Sequence, residues 1–188
     1  IHLGDCVQNG DSFRVEWERA SAAMGRIEDP IATQLQYGIP YGMCVGNHDQ
    51  SPIGDATGTT TFYNQYFGEA RFLGRGYYGG HYRTNNDNWF TLFSAGGMDF
   101  ICIGFEYDTS PDVPVLDWAD SLLKAYSNRR AIIVSHNIIS LGDPGVFSTA
   151  GQAIYNGLKS NPNLFLMVCG HVHGEARRVD VFDGKTVH

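Results

Sequence analysis

No run of apolar side chains in the 188 residues approaches the ~20 needed to cross a bilayer. The chain starts at Ile1 rather than Met and shows no basic-then-apolar leader. A membrane-spanning protein is therefore excluded from the reading, and the compartment stays open. Basic residues are also scarce: 13 Lys and Arg stand against 20 Asp and Glu, a net charge of −7. Capture of nucleic acid or anionic lipid requires clustered Lys and Arg, so both are disfavoured as partners. The four cysteines contain no C-x-x-C pair, which argues against a structural zinc site or a thioredoxin-type motif. Cys44, Cys102 and Cys169 lie in apolar runs, where a thiol behaves as a small hydrophobe, and four free thiols are expected. Only Cys6, after Asp5 in a loop, has a plausible ligand or reactive role. There is no internal repeat, low-complexity tract or linker, so residues 1–188 read as one domain.

Glycine is abundant, at 23 residues. Gly4, Gly46, Gly104, Gly142 and Gly170 fall at the ends of apolar runs, as expected of strands that finish in tight loops. Residues 1–5 read as the tail of a strand, and residues 40–45 as a buried strand. Phe13, Trp17, Ala20 and Met24 recur at helical spacing, predicting a helix from Asp11 to about Arg26. A polar, Gly-rich stretch from Gln50 to Asn88 is longer than ordinary connections and reads as functional or mobile. Strands are expected at residues 89–94, 100–105, 131–134 and 164–169, with helices at 115–126 and 148–158. A hairpin follows, turning at Asp183-Gly184. The order is that of an α/β protein.

Four of the buried runs end on chemistry. Asp5 follows the first, Asn47-His48-Asp49 the second, His136 the run at 131–134, and His171 with His173 the last. Polar residues at the carboxyl ends of α/β strands face a common crevice. Taken singly, each has an ordinary explanation: a His after a strand is commonly a hydrogen-bonded structural residue, and Gly-Asp a turn. Together they bring imidazoles and a carboxylate to one place, the donor set of a first-row divalent metal.

The ordered blocks Gly4-Asp5, Gly46-Asn47-His48-Asp49, Ser135-His136 and Gly170-His171-Val172-His173 resemble the signature of the calcineurin-like metallophosphoesterase superfamily. The resemblance implies a four-layer α/β/β/α sandwich of two mixed β-sheets flanked by helices. It also implies two transition metals (Mn, Fe or Zn) bridged by Asp5. Asn47, His136 and His171 would complete one metal site, and His173 would bind the other metal. The activity implied is hydrolysis of a phosphomonoester or phosphodiester, a small-molecule phosphate ester, by a metal-bound hydroxide. His48 would protonate the leaving group or stabilise charge on the phosphoryl group. Asp49 would either fix the His48 tautomer or serve as a turn carboxylate.

One block of the family pattern, an Asp-x-His on a preceding strand, is absent. The expectation is therefore most of a catalytic domain, trimmed at both ends, in which one metal site keeps its four ligands. The other keeps only Asp5 and His173. The alternative is a non-catalytic metal-binding remnant of the same fold. His2 is expected to be a core residue or one supporting the ligands. His81 or Arg83, in the aromatic insertion, would touch a phosphate or sit in a solvated loop.

Overall fold

The computed structural model describes all residues from Ile1 to His188. Its helices are α1 (Arg14–Glu28), α2 (Pro30–Thr33), α3 (Thr61–Phe67), α4 (Glu69–Phe72), α5 (Val113–Ala125) and α6 (Thr149–Leu158). Its strands are β1 (Tyr78–His81), β2 (Trp89–Ala95), β3 (Met98–Phe105), β4 (Arg130–Ser135), β5 (Leu164–Val168), β6 (Asp180–Phe182) and β7 (Lys185–Val187). No helix is long and apolar enough to cross a membrane.

Strands β1 to β5 form one mixed sheet in sequence order, antiparallel through β3 and parallel from β3 to β5. The Gly96-Gly97 turn joins β2 to β3, both glycines at positive φ, as a two-residue hairpin loop requires. The parallel crossovers are made by α5 and α6. Helix α5 has Pro114 in its first turn, where a missing N–H costs nothing. Helix α6 is capped by the Ser148 hydroxyl, which accepts from the Gly151 N–H at 2.9 Å.

Alternation along the central strands sorts the core into two faces. Ile101, Ile103, Ala131 and Ile133 pack on Val115, Ala119 and Leu123 of α5 and Ile154 and Leu158 of α6. Cys102, Ile132 and Val134 point the other way, toward Trp89 and Cys44. Beyond them lie two extended segments that pair through one parallel bridge, His2 with Met43. The His2 N–H donates to the Gly42 carbonyl at 3.0 Å, and the Cys44 N–H to the His2 carbonyl at 3.1 Å. Cys44 faces the large sheet, whereas Met43 and Val45 face Trp17 of α1 and Tyr63 and Phe67 of α3. The four layers are thus α5/α6, the five-stranded sheet, a thin β layer and α1/α3.

The run at residues 40–45, expected as a strand, forms one bridge, His2 with Met43, and accepts the Tyr107 N–H at the Val45 carbonyl. The Gln50–Asn88 stretch contains α3, α4 and β1, and Gly58, Thr60, Asn64, Asn85 and Asp87 line a cavity of about 330 Å³. Phe62, Tyr63, Tyr66 and Phe67 are at helical spacing, and Tyr63 and Phe67 are fully buried beside Trp17. His81 meets the Tyr78 hydroxyl at 2.9 Å, and the Arg83 guanidinium lies 4.9 Å from the Tyr82 ring centre. The four thiols are free, as expected. Ahead of β6 the chain is irregular, and the hairpin is shorter than its sequence span. The Val187–His188 end lies along β5, with the Met167 N–H donating to the His188 carbonyl at 2.7 Å.

Candidate metal centre

The centre is built where three strand ends meet the loop after Leu3. Gly4 has φ +97° and Asp5 φ +54°, so the chain reverses sharply after Leu3. A Cβ on Gly4 would come within 2.6 Å of His136 Nδ1, and one on Gly46 within 2.2 Å of Asp5 Oδ1. Two loops packed this closely require glycine before each ligand, which is the physical content of the Gly-Asp and Gly-Asn pairs.

Asp5, His136 and His171 each offer a donor atom, and these atoms lie within 4.8 Å of one another. The Oδ1 of Asn47 lies 3.1 Å from His171 Nδ1, adding an amide oxygen to the group. His171 itself is exposed and carries a positive φ of 66°, backbone strain of the kind that collects at functional sites. Its pKa is lowered, first by burial of the ring and then by the neighbouring His136.

His136 decides what the group can hold. Its Nδ1–H donates to the Leu3 carbonyl at 2.7 Å, which leaves Nε2 as the ligand atom. That nitrogen is buried without a hydrogen-bond partner, yet it lies 3.1 Å from Asp5 Oδ2. A lone pair and a carboxylate oxygen at that distance repel unless a cation lies with them. Protonation is one answer: burial alone lowers the His136 pKa, but the Asp5 carboxylate and the Leu3 carbonyl outweigh it and raise it. A divalent metal is the other. Burial alone would raise the Asp5 pKa, but the nearby His136 and the His48 N–H outweigh it and hold it below the usual carboxylate range. A carboxylate, two imidazoles and an amide oxygen fit a first-row divalent ion.

The other expected residues are arranged differently. His48 donates its backbone N–H to Asp5 Oδ1 at 3.0 Å, but its ring does not meet Asp49. Asp49 is wholly buried and accepts from the Gly46 N–H (2.8 Å), the Val7 N–H (3.1 Å) and the Cys6 thiol (3.2 Å). It is the turn carboxylate that joins the two metal-bearing loops. Burial pushes its pKa up to about 6 despite these donors. The same contact bears on Cys6: burial and the Asp49 charge push its thiol far above the ordinary range, which disfavours the thiolate. His2 supports the loop by accepting the Gly4 N–H at 3.2 Å. His173 is exposed and lies outside the ligand group. A cavity of about 680 Å³ lies beside the centre, lined by Leu3, Leu141, Phe147, Leu166 and Val168, but Asp5, Asn47, His136 and His171 do not line it.

Tyr107 belongs to the centre without any motif to mark it. Its ring centre lies 5.4 Å from that of His171 and 5.9 Å from that of His136. Its N–H donates to the Val45 carbonyl and its carbonyl accepts from Gln50 Nε2, both at 2.8 Å. The backbone of Tyr107 is thereby tied to the strand that delivers Asn47. Its sequence signal was positional: it follows the end of β3, as His136 follows β4.

The family model described as calcineurin-like phosphoesterase matches residues 1–175, which carry all of these side chains. The chain belongs to that family. A protein of Bacillus subtilis (strain 168), described as the uncharacterized protein YvnB, is 32% identical over 185 residues. The match covers 97% of this chain and 13% of YvnB, so the chain spans a small part of the length of that relative. Members of the calcineurin-like family usually bind divalent metals and act on phosphate esters, and the Asp5–Asn47–His136–His171 group accords with that chemistry.

Proposed function

We propose that this chain hydrolyses a small phosphate ester at one metal position formed by Asp5, Asn47, His136 and His171. The observation that carries the reading is the convergence of donor atoms of Asp5, His136 and His171 within 4.8 Å of one another, with His136 Nε2 buried and 3.1 Å from Asp5 Oδ2. When bound, a divalent ion supplies Lewis acidity toward the phosphoryl oxygens and activates water at neutral pH. The protein's part is orientation and charge. One carboxylate with neutral imidazoles and an amide leaves the loaded centre positive, which favours a phosphate anion over a neutral ester. Tyr107 walls the side of the centre occupied by His136 and His171. His48, fixed through its N–H to Asp5, is the group that hands a proton to the leaving oxygen.

His173 is exposed and outside the ligand group, so within these residues a second metal position has little to hold it. Calorimetric titration with Mn²⁺ should therefore give one tight site, abolished by His136→Ala. Hydrolysis of para-nitrophenyl phosphate or its bis-ester with Mn²⁺ should depend on His48. Two tight sites would contradict the single-position reading. Hydrolysis that persists in His136→Ala would contradict the assignment of the centre. Tight metal binding with no hydrolysis would favour the non-catalytic remnant instead, a reading supported by the same exposed His173.

A further inference from the structure

We infer that the polar cavity walled by Thr60, Asn64, Asn85, Asp87 and Glu106 binds a hard divalent cation of the calcium type. The cavity measures about 330 Å³, and none of Asp5, Asn47, His136 and His171 lines it. Three parts of the chain meet there: the start of α3, the turn before β2 and the residue that follows β3. The last two are neighbours because Trp89, which opens β2, pairs with Gly104 near the end of β3. The inference is independent of the hydrolysis proposed above.

The charge of the cavity is uncompensated. Asp87 is buried, and its Oδ1 accepts from the Thr60 hydroxyl at 2.9 Å and the Asn64 amide at 2.7 Å. Its Oδ2 accepts from the same hydroxyl at 2.8 Å and from the Asn85 amide at 2.6 Å. One hydroxyl proton serves only one of those oxygens, so part of the acceptor capacity of the carboxylate is left over. Glu106 is half-buried and accepts from the Asn88 amide at 2.8 Å. Every partner of the two carboxylates is neutral, no basic side chain lines the cavity, and no Lys, Arg or His forms an ion pair with either. Asp11 adds a third negative charge behind the wall, where it accepts from the Thr59 hydroxyl at 2.6 Å and the Thr61 N–H at 3.1 Å. Buried charges are ordinarily paired with an opposite charge or a metal. Here the protein itself offers no such partner.

Gln50 points to the same ligand independently. It is 1% exposed, and its amide adjoins the Glu106 carboxylate. Its Nε2 donates to the Tyr107 carbonyl at 2.8 Å, whereas its Oε1 is buried with no hydrogen-bond partner. A buried acceptor left unpaired is costly, and a cation beside Glu106 supplies what it lacks. The donor types set the class of ion. All are oxygens, without imidazole or thiol, which suits a hard cation rather than zinc or copper. No aromatic ring lines the cavity, so an organic ammonium finds no cage. Ca²⁺ accepts about six to eight oxygens, water included, in flexible geometry, whereas Mg²⁺ demands a near-octahedral set. Bound there, the ion ties α3 to the paired ends of β2 and β3.

The test is a CaCl₂ titration of protein stripped with EDTA and moved to chelator-free buffer at pH 8, followed by thermal melts and calorimetry. KCl at equal ionic strength gives the baseline. With a Kd of about 0.1 mM, in the range of weak calcium modules, about 10 mM Ca²⁺ should raise Tm by about 5–10 °C. The His136→Ala chain should show the same rise, because its lesion lies in the other centre. Asp87→Asn and Glu106→Gln should each lose most of the rise and weaken Ca²⁺ at least about tenfold in calorimetry, since each removes one of two charged ligands. Glu106→Gln relieves the repulsion between the carboxylates without a cation, so it folds and decides the matter even if Asp87→Asn does not. No rise in the parent chain, or a rise of the same size in Glu106→Gln, overturns the inference. A rise that disappears in His136→Ala belongs to the metal centre and overturns it as well.

Discussion

Replacing Glu106 by Gln should make the protein more stable at pH 8 and leave it nearly unchanged at pH 4. Glu106 follows the last residue of β3 and is half-buried. Burial comes first and the nearby Asp87 carboxylate second in pushing its pKa up to about 7. Asp87 is itself buried, held by the Thr60 hydroxyl at 2.8 and 2.9 Å and the Asn64 amide at 2.7 Å. The unfolded chain titrates Glu near ~4.3, so the folded pKa is the higher of the two. The folded state then binds the extra proton, and stability present below the unfolded pKa is lost as pH rises through about 7. At ~1.4 kcal/mol per unit the ceiling is roughly 4 kcal/mol, and partial solvent access brings the expected loss to about 2–3 kcal/mol. Glutamine keeps an oxygen for the Asn88 amide, which Glu106 accepts at 2.8 Å, and carries no charge. Urea unfolding of both proteins from pH 4 to pH 8 measures the difference. In thermal melts the gain should be about 5–10 °C at pH 8, at ~2–4 °C per kcal/mol for a chain of this size. A variant no more stable than its parent at pH 8, or a gap that does not vary with pH, would refute the reasoning.

Gly42 and Gly104 flank the Trp89 ring, and a Cβ on either would lie 2.0 or 2.3 Å from it. Gly104→Ala should therefore cost at least ~3 kcal/mol, visible as a lowered urea midpoint or loss of soluble protein. Tyr107→Ala should weaken Mn²⁺ binding by about three- to tenfold in calorimetry, the worth of an aromatic contact of ~0.5–1.5 kcal/mol, whereas Tyr107→Phe should keep it.

Strands β2 to β5 of the central sheet were legible because they alternate cleanly or are buried on both faces, as at Phe100–Phe105 and Ala131–Val134, whereas β1 was hidden in the Gly-rich stretch before Asn88. Helices α1, α5 and α6 were legible through their apolar spacing, and α6 also through its Ser148 cap, whereas α1 begins at Arg14 after an uncapped turn rather than at Asp11. The segments at 1–5 and 40–45 have the apolar pattern of strands, but sequence cannot show that they pair with each other at a single bridge. Helices α3 and α4 were hidden because each is under two turns long and sits among glycines, where periodicity has no length to declare itself. At the site, the ligand blocks were legible because their glycines and histidines repeat at strand ends. Tyr107 was not: it is an ordinary residue type, and only folding brings its ring within 5.4 Å of that of His171. Adjacency in sequence suggests that Asp49 serves His48, whereas its carboxylate turns inward to the Val7 and Gly46 N–H groups.

The tie between the His136 ring and the Leu3 carbonyl spans 133 positions along the chain. Asp5 and His136 therefore cannot meet until the β3–β4 core has formed and the first residues of the chain have closed over it. Non-local closure of this kind is slow relative to helix formation. Metal capture should accordingly be the last event of folding, and Mn²⁺ uptake after dilution from denaturant should trail the recovery of helical signal. In a mixed preparation, the stoichiometry of tight Mn²⁺ binding would then count the molecules whose two ends of the fold have come together.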